Sequence, residues 1–186
     1  NNGARRAAEK WGIVFRQLCG GWQRVEVHPD TPRISLCVPT FRRLHQLADM
    51  LRVNMAHTRH RSVSSLLTWV VVDFAESDEV EDFLRENFLP EMEADHLVLY
   101  RATEPWDHWL QGTAVNTCFL AHAHLVLPRA LSGDRTSLET GSFRVNVAGD
   151  FVMSRELLQD ICDVARKHVK AQKELCTALA DGTQIE

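Results

Sequence analysis

Apolar residues along the chain follow two alternating patterns. Short apolar-rich runs, typical of strands that are buried on both faces, are separated by segments with apolar residues at i, i+3, i+4 and i+7. Regular alternation of strand and helix predicts an α/β fold with a mostly parallel sheet and helices on both faces. The strand-like runs lie at 34–38, 67–72, 96–100 and 143–147, and the helical stripes begin near Leu44, Val80, Trp106 and Leu157.

The N-terminal part does not follow this alternation. Its apolar spacing predicts a helix over 4–18 that ends at Gly20, and residues 24–28 alternate like a short edge strand. The sequence therefore predicts an N-terminal helix and edge segment over 1–32, followed by one α/β domain over 33–186.

Two of the apolar runs end in residues suited to ligand binding. The first stops at Pro39 and Thr40, with Arg42 close behind, and the second stops at Asp73. Parallel strands joined by a helix bind ligands beyond their carboxyl ends, so these residues are predicted to lie where a nucleotide could bind. Local alternatives stay open, because Pro39 and Thr40 could simply end a strand and Asp73 could cap the following turn.

Composition excludes some classes of partner. The chain has 186 residues, 45% of them apolar, and a net charge of -4 at pH 7, which suits a domain with a real core. No run of Lys and Arg is interleaved with aromatic residues, so no nucleic-acid partner is expected. No uninterrupted apolar stretch reaches the roughly 20 residues of a membrane helix. The chain is therefore expected to be soluble, without a membrane segment.

The five cysteines are widely spaced and form no C-x-x-C pair. Their odd number, and the apolar positions of Cys37, Cys118 and Cys162, favour buried free thiols over a disulfide framework. This pattern favours a reducing compartment such as the cytoplasm. The chain begins at Asn1 rather than at a methionine, so targeting upstream and the final location stay open.

Phosphate-binding and nucleophile motifs of several other α/β enzymes are missing from the sequence. It contains no G-x-x-x-x-G-K-[ST] loop, no G-x-G-x-x-G fingerprint and no G-x-S-x-G elbow. P-loop NTPases, typical dinucleotide enzymes and α/β-hydrolases therefore lose their main support.

Four segments, in this order, resemble the nucleotide-sugar-dependent glycosyltransferases of the GT-A fold, particularly family 2. The strand and corner ISLCVPTFRR at 34–43 resemble the family's opening strand and its P-T-[YF]-N/R-R corner. The segment VVVD at 70–73, followed by ESD at 76–78, resembles the second strand and its acidic residues. The segment AVN at 114–116 resembles the A-R/K-N element, and VNVAGD at 145–150 resembles the strand that ends in D-x-D.

The resemblance implies a Rossmann-like GT-A domain that binds a nucleotide-diphosphate sugar, for example a UDP-sugar. The implied activity is transfer of the sugar, with inversion, to a hydroxyl of a glycan, a lipid or a small acceptor. Family members use the corner to shape the nucleoside pocket and the strand-end carboxylate to hold the base. The implied donor-site residues are Pro39, Thr40, Arg42, Asp73 and Asn116. The implied ligand of Mn²⁺ or Mg²⁺, which would stabilise the leaving diphosphate, is Asp150.

The sequence also departs from the family pattern. Ala148 stands at the first aspartate of D-x-D, so Asp150 is the only carboxylate there, and it could equally be a turn residue. Val115 replaces a cation, and a polar insertion occupies 125–142. The chain stops at Glu186, soon after one helix, which predicts a truncated domain without the acceptor half and without an assigned catalytic residue. The alternative is a non-catalytic nucleotide-sugar-binding or interaction module with a degenerate D-x-D.

Overall fold

The computed structural model describes residues 15–17, 32–59, 66–94, 96–102, 112, 114–118, 121 and 142–180. Within these ranges, one sheet of five strands is flanked by helices. The strands are β1 (Phe15–Gln17), β2 (Arg33–Thr40), β3 (Leu67–Asp73), β4 (Leu97–Ala102) and β5 (Ser142–Asn146). The helices are α1 (Leu44–Thr58), α2 (Glu79–Glu93) and α3 (Arg155–Ala180), and residues 112, 114–118 and 121 are also helical.

The sheet is mostly parallel, as the alternating pattern predicts. Its strand order is β1-β4-β3-β2-β5, in which β2 to β5 run parallel to one another and β1 lies antiparallel on the edge beside β4. The chain builds outward from β2 to β3 and β4, and then returns to the other side of β2 with β5. The strand order therefore reverses between β2 and β5, which is the topological switch point of the sheet.

Helices cover both faces of the sheet. Successive side chains of a strand point to opposite sides, so these buried strands present apolar side chains to both faces. On one face, side chains such as Leu36, Trp69 and Leu99 join a core that includes the buried stripes of α1, α2 and α3. On the other face, Cys37 and the alternate residues of β3 and β4 pack on the helical residues. This second cluster comprises Cys37, Val70, Val72, Phe74, Val98, Tyr100, Ala114, Cys118 and Ala121.

Other expectations from the pattern are also confirmed. Leu47 and Leu51 of the first helical stripe are completely buried, and Cys37, Cys118 and Cys162 are buried free thiols. Ser154 caps α3, since its hydroxyl accepts a 3.2 Å hydrogen bond from the Leu157 amide.

Among the helices that the structure describes, none has an apolar stretch long enough to cross a membrane.

The helix expected over 4–18 is wrong where it can be compared. Residues 15–17 form β1, because their backbone pairs with the outer edge of β4, with Phe15 opposite Ala102. Helical periodicity along the sequence does not register such pairing with a strand far along the chain. The remainder of 4–18, the edge strand expected at 24–28 and the insertion at 125–141 lie outside the described residues.

Candidate functional site

A cleft of about 650 Å³ opens at the carboxyl ends of β2 and β5, directly at the switch point of the sheet. Its described lining comes from the ends of β2 and β5, the segments that follow these strands, the start of α1 and two other helical residues. The lining residues are Pro39, Thr40, Phe41, Arg42, Arg43, Gln46, Ala114, Val115, Asn146, Val147, Ala148, Gly149 and Asp150.

The corner after β2 supplies one wall. Thr40 is the last residue of the strand and, although it lines the cleft, it is only 4% exposed. Arg42 has a positive φ of 53°, a left-handed conformation that is unfavourable for a residue with a side chain. Its guanidinium lies 4.9 Å from the centre of the Phe41 ring, a cation–π contact. The corner therefore exposes a cation on a sharply turned backbone.

The first turn of α1 continues this wall. Arg43 occupies the N-cap position without a capping side-chain bond, and no acidic residue lies in the first turn. Arg43 and Gln46 both line the cleft. Neither Arg42 nor Arg43 forms an ion pair with a carboxylate of the described residues. Two guanidiniums and the positive end of a helix thus meet at this side of the cleft, which favours an anion.

The opposite wall is the segment after β5. It first extends the pairing with β2, since the Val147 amide donates to the Cys37 carbonyl at 2.8 Å. A tight turn follows, closed by a 3.0 Å bond from the Phe151 amide to the Ala148 carbonyl, with Asp150 exposed near its tip. The site of a Cβ on Gly149 lies 3.9 Å from the Pro39 carbonyl oxygen, so the turn packs closely on the end of β2.

Asp73 does not line the cleft. The residue is 1% exposed, and its carboxylate accepts a 3.1 Å hydrogen bond from the Ala75 amide, so it stabilises the turn after β3. Burial raises the pKa of Asp73 to about 6, although the bond from Ala75 and the positive charge of Arg101 oppose this rise. The local capping role that the sequence left open is therefore present. A role for Asp73 at a nucleotide base stays a prediction.

Asn116 also lies outside the cleft lining. It is an exposed residue of the helical segment, and the neighbouring Ala114 and Val115 line the cleft instead. Its support of a donor site stays a prediction. Of the residues singled out from the sequence, the structure thus brings Pro39, Thr40, Arg42 and Asp150 together around one cleft.

Three polar lining residues were not singled out from the sequence, namely Arg43, Gln46 and Asn146. Sequence reasoning missed Arg43 and Gln46 because they belong to the start of an amphipathic helix, where polar residues normally face solvent. A signal was available, since a helix that starts directly after a strand end points its first turn towards the carboxyl edge of the sheet.

The described residues fit a protein-built metal centre poorly. Asp150 is the only carboxylate that lines the described part of the cleft, and Ala148 contributes no side-chain ligand. Across the described ranges, no group of three His, Cys, Asp or Glu side chains is arranged to hold a metal ion. Mg²⁺ and Mn²⁺ prefer several oxygen ligands, so Asp150 would supply one of them and the rest would have to come from elsewhere.

The comparisons with known proteins include a weak structural likeness. No family model matches the chain, and neither does any curated protein. Among solved structures, the chain is similar to the mannosyltransferase PcManGT from Pyrobaculum calidifontis, in complex with GDP-Man and Mn²⁺, with 22% identity and a TM-score of 0.45. The alignment covers 86% of this chain and 39% of the mannosyltransferase, so the chain spans less than half of that protein's length. Similarity of this degree shows neither a family nor a function.

Proposed function

We propose that this domain binds a nucleotide-diphosphate sugar in the cleft between β2 and β5, as the donor-binding part of a GT-A, family 2-like glycosyltransferase. The observation that carries the proposal is the placement of Arg42 and Arg43 in a cleft at the switch point of a parallel sheet. Open α/β sheets bind ligands at this position, where the loops after two neighbouring strands diverge. The motifs that resemble family 2 narrow the ligand class to a sugar nucleotide.

The size of the cleft suits such a ligand. A volume of about 650 Å³ lies within the usual range for pockets that enclose small organic molecules and cofactors. Its lining combines the apolar residues Pro39, Phe41 and Val147 with polar residues. The proposal assigns Pro39 and Thr40 to the nucleoside side of the donor, with Asp150 and Asn146 on the wall across the cleft.

The diphosphate is the part of the donor that the cleft recognises most strongly. A guanidinium forms bidentate, charge-assisted hydrogen bonds with phosphate oxygens, and two adjacent arginines can offset most of the charge of a diphosphate. Amide groups in the first turn of α1, where no side chain caps the helix, add further donors beside Arg43. During transfer, the same groups would stabilise the negative charge that develops on the leaving diphosphate.

Two assignments from the sequence need a change in side-chain contacts. Asp73 would have to exchange its bond from the Ala75 amide for one to the base. Asn116 would have to turn towards the cleft from its exposed position on the helical segment. Both residues remain donor-site candidates, but the proposed recognition of the diphosphate depends on neither of them. No residue is assigned as the catalytic base.

The proposed binding of the diphosphate does not depend on a metal ion. Asp150 would be one ligand of Mn²⁺ or Mg²⁺, which would act as a Lewis acid on the diphosphate when bound. Because the described cleft supplies a single carboxylate, we assign neutralisation of the diphosphate charge to Arg42 and Arg43.

A second candidate function is a non-catalytic module that binds a nucleotide sugar. It is favoured by Ala148 and Val115, two uncharged residues that line the cleft where the family resemblance predicts an aspartate and a cation. Both candidates share the donor site and differ in turnover. Release of nucleoside diphosphate from a bound donor, with and without a panel of hydroxyl acceptors, separates the transferase from the module.

Calorimetric titration with UDP-sugars and GDP-sugars, in Mn²⁺ and in EDTA, tests the shared proposal. We expect saturable binding to the unaltered protein. Each of the single variants Arg42→Gln and Arg43→Gln should bind about tenfold more weakly, because each loses a charge-assisted hydrogen bond. Arg52→Gln is the matched control, because Arg52 is an exposed α1 arginine that pairs with Asp49 and does not line the cleft.

Two results would overturn the proposal. One is the absence of binding for every sugar nucleotide at millimolar concentration. The other is an equal loss of affinity in Arg42→Gln, Arg43→Gln and Arg52→Gln, which would indicate a general charge effect rather than a site in the cleft.

A further inference from the structure

We infer that Asn54 and His57 are positioning residues that set the geometry of the Asp150 turn, and through it the affinity of the cleft for its ligand. The inference rests on the function proposed above, because it assigns residues outside the cleft to the same donor site. Its evidence is a group of hydrogen bonds from the middle of α1 to the segment that follows Asp150.

Asn54 holds this segment with both ends of its side-chain amide. Its Nδ2 donates to the Phe151 carbonyl at 3.0 Å, and its Oδ1 accepts from the Met153 amide at 2.8 Å. These bonds join residues that are 97 and 99 positions apart in the sequence. Asn54 is completely buried, so water does not compete for these contacts.

His57, one turn further along α1, adds a third contact. Its Nδ1 donates to the Met153 carbonyl at 2.8 Å. Met153 therefore has its amide bound by Asn54 and its carbonyl bound by His57, although it belongs to neither a strand nor a helix. Side chains of α1 thus replace the backbone partners that this segment would otherwise need.

The turn is attached on both sides along the chain. The sheet binds the residue before it, and side chains of α1 bind the residues after it. Val147 is bound to β2 through the Cys37 carbonyl, and the turn is closed between Phe151 and Ala148. With Met153 also anchored, only Ala148 to Val152 lie between the two attachment points. Asp150 is therefore held at a defined place across the cleft from the first turn of α1, which begins at the same edge.

An apolar residue at position 54 would leave the Phe151 carbonyl and the Met153 amide without these partners. The amide of Asn54 instead matches one carbonyl and one amide of the same short segment. The geometry thus specifies one conformation of the turn, in addition to stabilising α1 against the loop.

The test compares Asn54→Ala and His57→Ala with Thr58→Ala in the full chain. Thr58 is a buried residue of the same helix whose hydroxyl bonds within α1, to the Met55 carbonyl. Amide hydrogen exchange of residues 150–153 and calorimetric affinity for the best-bound UDP-sugar or GDP-sugar are measured for each protein. We expect Asn54→Ala to speed exchange at Met153 and to weaken donor binding, each by about tenfold, as for the loss of a buried hydrogen bond.

A conservative pair sharpens the readout and covers the case in which Asn54→Ala does not fold. Asparagine places its Nδ2 close to where histidine places Nδ1, so His57→Asn should keep the bond to Met153, whereas His57→Ala removes it. Rescue of both exchange and affinity by His57→Asn supports positioning.

The possible contradictions are distinct. Unchanged exchange at residues 150–153 in both Asn54→Ala and His57→Ala would overturn the inference. So would an equal loss of donor affinity in Thr58→Ala, because that would indicate general destabilisation of α1. If the unaltered protein binds no sugar nucleotide, the proposed function fails and the role in donor affinity fails with it, while the exchange data still show whether the contacts hold the turn.

Discussion

Thr40 and Asp73 lie directly opposite each other at the ends of two neighbouring parallel strands, yet only Thr40 borders the cleft. Pairing continues one step beyond them, since the Phe74 amide donates to the Thr40 carbonyl at 3.1 Å. The cleft opens on the side of β2 that faces β5, and Asp73 is one strand further away, on β3. Position relative to the switch point, rather than position at a strand end, decides which of the two can touch a ligand.

Asp73→Asn should change the pH dependence of stability. Burial raises the pKa of Asp73 from 3.8 to about 6, so the folded state binds this proton more tightly than the unfolded state does. Below about pH 4 the group is protonated in both states, and the advantage of the folded state is lost as pH rises through about 6. A shift of this size corresponds to about 3 kcal/mol between the two ends of that range.

The asparagine variant keeps an acceptor for the Ala75 amide and carries no charge at any pH. Its free energy of unfolding relative to the unaltered protein should therefore rise by about 2 to 3 kcal/mol between pH 4 and pH 7.5. Urea unfolding at several pH values measures this. Asp49→Asn, at an exposed carboxylate on α1, controls for the general loss of a negative charge. A difference that does not vary with pH would contradict the raised pKa.

Arg42→Gly should stabilise the domain while weakening ligand binding. The left-handed backbone of Arg42, with φ of 53°, is unfavourable for a side-chain-bearing residue by about 1 kcal/mol and is free of cost for glycine. Loss of the contact with the Phe41 ring returns about 0.5 kcal/mol of that gain. Thermal or urea unfolding should thus show a net gain of about 0.5 kcal/mol.

Arg43→Gly is the matched comparison for this prediction. Arg43 has a φ of -130°, which an arginine adopts without strain, so glycine there relieves no strain. Arg43 is also the N-cap of α1, a position that tolerates glycine, so this substitution should change stability by only about 0.3 kcal/mol or less. Both substitutions remove a cleft cation and should weaken sugar-nucleotide binding. If Arg43→Gly raised stability as much as Arg42→Gly, relief of strain at Arg42 would not be the cause.

Ser154→Ala should destabilise the domain by about 1 kcal/mol, the usual effect of removing an N-cap. The Ser154 hydroxyl accepts from the Leu157 amide, one of the first amides of α3, and alanine would leave that amide to water. Ser77→Ala is the control, because the exposed Ser77 hydroxyl donates to the Glu79 side chain and caps no helix amide. Equal effects of the two changes in urea unfolding would argue against a cap at Ser154.

The sequence predicts the parallel sheet and its covering helices because their signals are local. The continuous apolar run of β3 and the spacing of Leu47 and Leu51 each reflect burial on one element. β1 was missed because its strand conformation depends on pairing with β4, which lies more than 80 residues further along the chain. Local spacing contains no information about that partner.

The residues of the candidate site also fall into two groups: those that local sequence signals predict, and those whose placement depends on parts of the chain that are distant in sequence. Thr40 ends β2, and Arg42 and Asp150 follow β2 and β5 within a few residues, so their approach to one edge follows from the order of strands and helices. The burial of Asp73 depends on which strand neighbours the cleft, and sequence alone does not fix the order of strands in a sheet. The contacts of Asn54 with Phe151 and Met153 involve residues 97 and 99 positions away, and no motif or periodicity points to them.

Ala148→Asp should make ligand binding depend on a divalent cation. Ala148 and Asp150 flank Gly149 in the turn at the cleft, so an aspartate at 148 would give this turn two carboxylates instead of one. Hard cations gain affinity from each additional charged oxygen ligand. We expect Mn²⁺ to increase the sugar-nucleotide affinity of this variant by at least about tenfold over its affinity in EDTA, the gain from one added ion-pair contact. In the unaltered protein the increase should be smaller.

Ala148→Asn is the control, because asparagine is similar in size to aspartate and carries no charge. This variant should behave like the unaltered protein in the same calorimetric titrations. A strong Mn²⁺ effect already present in the unaltered protein, and lost in Asp150→Ala, would instead show that Asp150 together with the donor phosphates suffices to hold the metal.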